Sequence, residues 1–200
     1  MILLTGGARS GKSALAEQLI RERGDRVLYI ATAVVTDPEM AERIARHRQQ
    51  RPDGWDTYEG STDLGQIIRE RGAQYDAILL ECITTLVTNL MFAGMTPDDP
   101  AALPDFVEAE HRIDQQIDAL IAGCQACPAP VYVVTNEVGL GIVPDNALAR
   151  QFRDIAGRVN QRLAAAADQV YLVVSGLPLC LKDSQPRPVS ATASKGIPSA

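Results

Sequence analysis

The chain has 200 residues, 46% of them hydrophobic and 22% charged, with a formal net charge of −6. That length suits a single domain with a full core. The acidic balance disfavours a nucleic-acid or anionic-membrane partner, no apolar run is long enough to span a bilayer, and no charged leader precedes the first apolar run, so the expected setting is cytoplasmic.

Ile2-Leu3-Leu4-Thr5 reads as a strand, and Ala14-Leu15-Ala16-Glu17-Gln18-Leu19-Ile20 reads as a helix. Between them stands Gly6-Gly7-Ala8-Arg9-Ser10-Gly11-Lys12-Ser13. A glycine, four residues, then Gly-Lys-Ser is the phosphate-binding loop pattern, here in the strand–loop–helix setting it requires. Such a loop aims several backbone N–H groups at one concave point, and a helix beginning there adds unpaired N–H groups and a partial positive charge. Lys12 is placed to reach the β- and γ-phosphates, and the Ser13 hydroxyl to bind Mg²⁺.

The second strand is read at Val27-Leu28-Tyr29-Ile30-Ala31, with Thr32-Ala33 at its carboxyl end, where ligands bind in open parallel sheets. Thr36 or Asp37 caps the next helix, with Pro38 in its first turn. Met40, Ile44 and His47 share one face of that helix by their spacing. A lone histidine there is a surface or core residue as readily as a catalyst. The stretch Arg51-Pro52-Asp53-Gly54-Trp55-Asp56 reads as a loop, followed by Glu59 and a short helix over 62–71.

Asp76-Ala77-Ile78-Leu79-Leu80-Glu81 is a third, buried strand. A carboxylate at its end, Glu81, is what a phosphate-loop protein uses to hold Mg²⁺. An apolar helix over 83–93, a surface loop at 97–100 and an amphipathic helix marked by Phe106, Ile113, Ile117, Leu120 and Ile121 follow. A fourth strand at Val131-Tyr132-Val133-Val134-Thr135 ends in Asn136-Glu137, with a turn at Gly139-Leu140-Gly141. Asp145 is the expected cap of a long helix with Leu148, Phe152, Ile155, Val159 and Leu163 on its apolar stripe. Arg150, Arg153, Arg158 and Arg162 lie on its other face, which reads as solvated rather than ligand-binding. Val170-Tyr171-Leu172-Val173-Val174 is the last central strand, and a Ser-, Pro- and Ala-rich tail over 183–200 is expected to be mobile.

The alternation of strands and helices implies an α/β domain over 1–182, with a mostly parallel sheet covered on both faces. Cys124 and Cys127 have metal or redox spacing, but no second such pair exists and the chain has two histidines, so they read as small apolar residues closing a helix.

Taken together, the phosphate loop, Ile30-Ala31-Thr32, the run from Asp37 through Arg43-Ile44 to His47, Leu79-Leu80-Glu81-Cys82, the run from Thr135 to Pro144 and the run from Phe152 to Gln161 resemble one family, from residue 1 to about residue 182. That family is the bifunctional adenosylcobinamide kinase/adenosylcobinamide-phosphate guanylyltransferase of cobalamin biosynthesis. The resemblance implies a RecA-like P-loop NTPase sheet, a homotrimer and two reactions. The first phosphorylates adenosylcobinamide with ATP or GTP. The second moves GMP from GTP, through a GMP-histidine intermediate, onto adenosylcobinamide phosphate and releases pyrophosphate.

The family's guanylylated histidine falls on His47. Its nucleotide contacts fall on Gly6, Gly7, Ala8, Arg9, Ser10, Gly11, Lys12 and Ser13, on Ala31, Thr32 and Ala33, on Arg48, Gln49, Gln50 and Arg51, and on Glu59 and Glu81. Ser13 and Glu81 would hold Mg²⁺. Some relatives carry His-His-Lys where this chain has Arg46-His47-Arg48, so the first histidine of that pair is absent. Two other readings start from the same loop: a P-loop kinase for another alcohol, which gives His47 no role, and a nucleotide-dependent switch with no turnover.

Overall fold

The computed structural model describes residues 1–34, 42, 54–95 and 103–184. The expected helix through Met40, Ile44 and His47, residues Arg48 to Arg51, the loop at 97–100 and the tail beyond Ser184 lie outside the described residues.

One seven-stranded sheet organises the chain, in the order β3-β2-β4-β5-β1-β6-β7. Its strands are β1 (Ile2–Thr5), β2 (Val27–Ala31), β3 (Asp56–Glu59), β4 (Ala77–Glu81), β5 (Val131–Val134), β6 (Gln169–Val174) and β7 (Leu177–Asp183). All neighbours are parallel except β6 and β7, which form an antiparallel hairpin. Among the described residues the longer helices are α1 (Lys12–Arg21), α2 (Leu64–Arg71), α3 (Ile83–Met91), α4 (Phe106–Ala126) and α5 (Ala147–Ala166).

Successive side chains of a strand point to opposite faces, and this alternation divides the core in two. Leu3, Leu28, Ile30, Ile78, Leu80, Val131 and Val133 face α2 to α5. Leu4, Tyr29, Leu79, Tyr132 and Val134 face Ala16 and Ile20 of α1. Burying an aliphatic chain such as Ile20 contributes ~1.5–3 kcal/mol, so both faces reward the parallel register. The fold is the expected α/β arrangement, a mostly parallel sheet with helices on both faces.

Helices α2 and α4 cross backbone to backbone. A Cβ on Gly65 would lie 2.0 Å from the Ala119 carbonyl oxygen, and one on Gly123 would lie 2.2 Å from the Gly65 carbonyl oxygen. Neither position admits a side chain without moving a helix. Cys124 is buried beside this crossing, and Cys127 packs against the same core. Burial pushes the Cys124 thiol up to about 12, so it stays protonated and inert at neutral pH. No group of three His, Cys, Asp or Glu side chains able to hold a metal occurs among the described residues. Cys124 and Cys127 both pack against the hydrophobic core at the end of α4.

Several boundaries differ from the sequence reading. Asp56 opens strand β3 instead of closing a loop, and β3 pairs with β2 along its whole length. It has no apolar run because it is an exposed edge, and main-chain pairing alone defines it. Strand β7 was not expected. It carries Pro178, which a sheet tolerates only at an edge, and it runs through Asp183. The cap of α5 is Asn146, not Asp145: Asn146 accepts from the Ala149 N–H at 2.7 Å, while the Asp145 carbonyl accepts from Arg150. Arg158 pairs with Glu110, and Arg162 with Asp114 and Asp118. Arg158 and Arg162 thus tie α5 to α4 through partly exposed ion pairs, while Arg150 and Arg153 bond within their own segment.

Candidate active site

The phosphate loop leaves the carboxyl end of β1 and enters α1. Gly6 takes φ 151° and Gly11 φ 98°, both in the region that favours glycine. A Cβ on Gly6 would lie 2.3 Å from the Val173 carbonyl oxygen, so the loop needs glycine there for space as well. Three main-chain bonds fix its path. Ser10 N donates to the Gly7 carbonyl at 3.3 Å, Glu137 N to the Gly6 carbonyl at 3.0 Å, and Gly176 N to the Ser10 carbonyl at 2.8 Å. The last bond makes the β6–β7 hairpin a buttress for the loop.

Helix α1 begins without a side-chain cap and without an acidic residue in its first turn. Its leading N–H groups therefore meet no competing anion from their own turn, as an anion site at a helix N-terminus requires. Lys12 is 7% exposed and lies back across the loop, donating from Nζ to the Gly7 carbonyl at 2.6 Å. Burial pushes its ammonium below the usual lysine range, and the acidic side chains of Cys82 and Glu81 partly offset that.

Ser13 Oγ donates to Glu81 Oε1, and Tyr29 Oη donates to Glu81 Oε2 at 2.8 Å. The first turn of α1 and the end of β4 thus meet although β5 lies between β1 and β4 in the sheet. A hydroxyl and a carboxylate in direct contact form a hard-oxygen donor set. It fits Mg²⁺, which takes one or two protein oxygens and fills its remaining positions with phosphate and water. Tyr29 escaped the sequence reading. Its position two residues before Ala31, on the α1 face of β2, was the available signal.

Glu81 and Glu59 flank Ala31 in register, one on each side. Thr32 follows, fully buried. Its hydroxyl donates to the Cys82 carbonyl at 2.8 Å and accepts from the Cys82 N–H at 2.9 Å. The Thr32 side chain therefore clamps β2 to the exit of β4, and its carbonyl accepts from Asn89 Nδ2 at 2.6 Å. A second polar network missed by sequence reading stands behind β5. Thr135 Oγ1 donates to Asn160 Oδ1 at 2.7 Å, and Asn160 Nδ2 donates to the Asn136 carbonyl at 3.0 Å.

The structure thus gathers residues 6–13, Tyr29, Ala31, Thr32 and Glu81 toward the carboxyl ends of β1, β2 and β4, with β5 between β4 and β1. Glu59 is exposed at the end of edge strand β3, separated from β1 by β2, β4 and β5. At the usual strand spacing that is roughly 19 Å across the sheet, about the reach of an extended nucleotide rather than of its phosphates alone. His47 and Arg48, Gln49, Gln50 and Arg51 lie outside the described residues.

A family model described as cobinamide kinase / cobinamide phosphate guanyltransferase (CobU) matches residues 2–181. The chain is 59% identical over 182 residues to the bifunctional adenosylcobalamin biosynthesis protein CobU of Salmonella typhimurium strain LT2, covering 91% of this chain and 99% of that one. The CobU protein of Escherichia coli K12 is 54% identical over 182 residues, with the same coverage of 91% and 99%. The bifunctional adenosylcobalamin biosynthesis protein CobP of Pseudomonas aeruginosa PAO1 is 40% identical over 180 residues, covering 90% of this chain and 96% of that one.

Proposed function

This chain belongs to the cobinamide kinase / cobinamide phosphate guanyltransferase family, and from that premise we propose how its residues divide the two reactions. It is a bifunctional enzyme of adenosylcobalamin biosynthesis, a kinase for cobinamide and a guanylyltransferase for cobinamide phosphate.

In the kinase step the phosphate loop cradles the triphosphate of ATP or GTP, and the γ-phosphoryl group passes to the aminopropanol hydroxyl of adenosylcobinamide. Phosphoryl transfer asks a protein mainly for position and for neutralised charge. The loop amides, the helix N-terminus and Lys12 supply both. Ser13 and Glu81 would hold Mg²⁺, which would neutralise phosphate charge beside them.

In the guanylyl step a nitrogen of His47 attacks the α-phosphorus of GTP. An N–P bond forms and the P–O bond to pyrophosphate breaks. The phosphate oxygen of adenosylcobinamide phosphate then attacks the same phosphorus, and the N–P bond breaks. A neutral imidazole is the competent nucleophile, and the phosphoramidate is reactive enough to pass GMP onward. Arg48 and Arg51 lie close to His47 in sequence and supply positive charge for the triphosphate, with Gln49 and Gln50 between them. Glu59 accepts from N1–H and the exocyclic amine of guanine, which selects GTP over ATP.

The observation that carries this reading is the joining of Ser13 to Glu81 beside an uncapped helix N-terminus, in a chain matched by the family over residues 2–181. Incubation with GTP and adenosylcobinamide tests it. Adenosylcobinamide-GDP and pyrophosphate should appear together, and absence of any phosphorylated corrinoid overturns the reading. The need for cytosolic ATP and GTP supports a cytoplasmic location. The proposal includes the homotrimer that the family resemblance implies, and sedimentation should give about three times the 21.5 kDa chain mass.

A further inference from the structure

We propose that the loop joining β5 to α5 is the surface on which the corrin macrocycle of the acceptor rests, with Leu140 and Ile142 as its main contacts. This rests on the kinase reading above. Leu140 is 85% exposed, Ile142 96% and Val143 61%. Three aliphatic side chains within four consecutive positions stand in water and contribute nothing to the core; where such side chains group together they can mark a binding surface.

The loop is not slack at its shoulders. Glu137 Oε1 accepts from the Gly139 N–H at 2.7 Å, and Arg150 Nη1 donates to the Pro144 carbonyl at 3.0 Å and the Asp145 carbonyl at 2.7 Å. The aliphatic segment is therefore presented between two pinned ends. Its position is set by the phosphate site, because the Glu137 N–H that opens the segment is bonded to the Gly6 carbonyl. A second exposed aliphatic row, Leu177, Leu179 and Leu181, lies on edge strand β7, which starts beside the phosphate loop at Gly176 but runs antiparallel to β6, so its further members lead away from the carboxyl ends.

The acceptor's chemistry fits this surface. Its reacting hydroxyl must come within about 3–3.5 Å of the atom it attacks. The hydroxyl hangs on a short arm, so the ring it is attached to must lie close beside the phosphate loop. A corrin ring is broad, methylated on its edge and fringed with amides. It suits an open aliphatic shelf with polar groups at its root, here Asn136 and Glu137.

The test is the double variant Leu140→Gln/Ile142→Gln in the full chain, compared with wild type by equilibrium dialysis against adenosylcobinamide and by steady-state kinase assay. The dissociation constant and KM for adenosylcobinamide should each rise about tenfold, with the KM for ATP changing less than about twofold. An unchanged corrinoid dissociation constant overturns the proposal. So does a change in the sedimented mass of the variant, which would assign the patch to contact between copies of the chain. Wild-type protein that never phosphorylates adenosylcobinamide would instead sink the kinase reading, and the dialysis arm would still decide the loop.

Discussion

Ser13 and Glu81 stand 68 residues apart in the chain and are joined by a hydrogen bond from the Ser13 hydroxyl to Glu81 Oε1. The bond links the first turn of α1 to the last residue of β4 and skips the strand between them. Tyr29 holds the other carboxylate oxygen, so Glu81 presents a fixed charge where a phosphate-bound cation would sit.

Glu81→Gln should therefore keep the fold and lose the kinase. The amide retains the shape but not the charge, and it accepts at one atom only, so one of the two hydroxyls must turn from donating to accepting. A fall of about 10²–10³ in kcat is expected, the range seen when one preorganised electrostatic group is removed. Initial rates over a Mg²⁺ titration check this, and a rate within a few-fold of wild type would remove Glu81 from the site.

Lys12→Ala should cost the kinase step ~3 kcal/mol of transition-state stabilisation. Lys12 also predicts a pH dependence. Its ammonium is held below the usual lysine range by burial, and it binds phosphate only while protonated. As pH rises, that charge is lost earlier than on a solvated lysine, so kcat/KM for ATP should begin to fall below the normal lysine range. A profile flat through that range would contradict the buried placement.

Gly65→Ala should destabilise the domain without touching the site. The added Cβ meets the Ala119 carbonyl oxygen at 2.0 Å, a backbone contact that no rotamer change relieves. Overpacking of this kind costs ~1–3 kcal/mol, which at this chain length lowers Tm by roughly 2–12 °C. A thermal melt measures it, and an unchanged Tm would show that α2 and α4 can separate freely.

Much of this was legible in the residues. Continuous apolar runs located β1, β2, β4, β5 and β6 because a parallel sheet covered on both faces buries most of its side chains, fully so in β2 and β5 and only in part in β6. The spacing of Gly6, Gly11, Lys12 and Ser13 located the cradle because few other chains need that backbone path. Two strands escaped, each for an edge reason. β3, with the sequence Asp-Thr-Tyr-Glu, has no apolar signal, and β7 carries a proline. The cap of α5 was misplaced by one residue because Asp145 and Asn146 are equally good caps in isolation. Tyr29 and the Thr32–Cys82 clamp depend on which strands become neighbours, which no local pattern encodes.

The central claim is that the imidazole of His47 takes GMP onto itself. Incubation with GTP labelled at the α-phosphate, followed by digestion and mass mapping, tests it most directly. An acid-labile GMP adduct is expected on the peptide that carries His47 and none in His47→Ala. An adduct that persists in His47→Ala, or that maps to another residue, would contradict it.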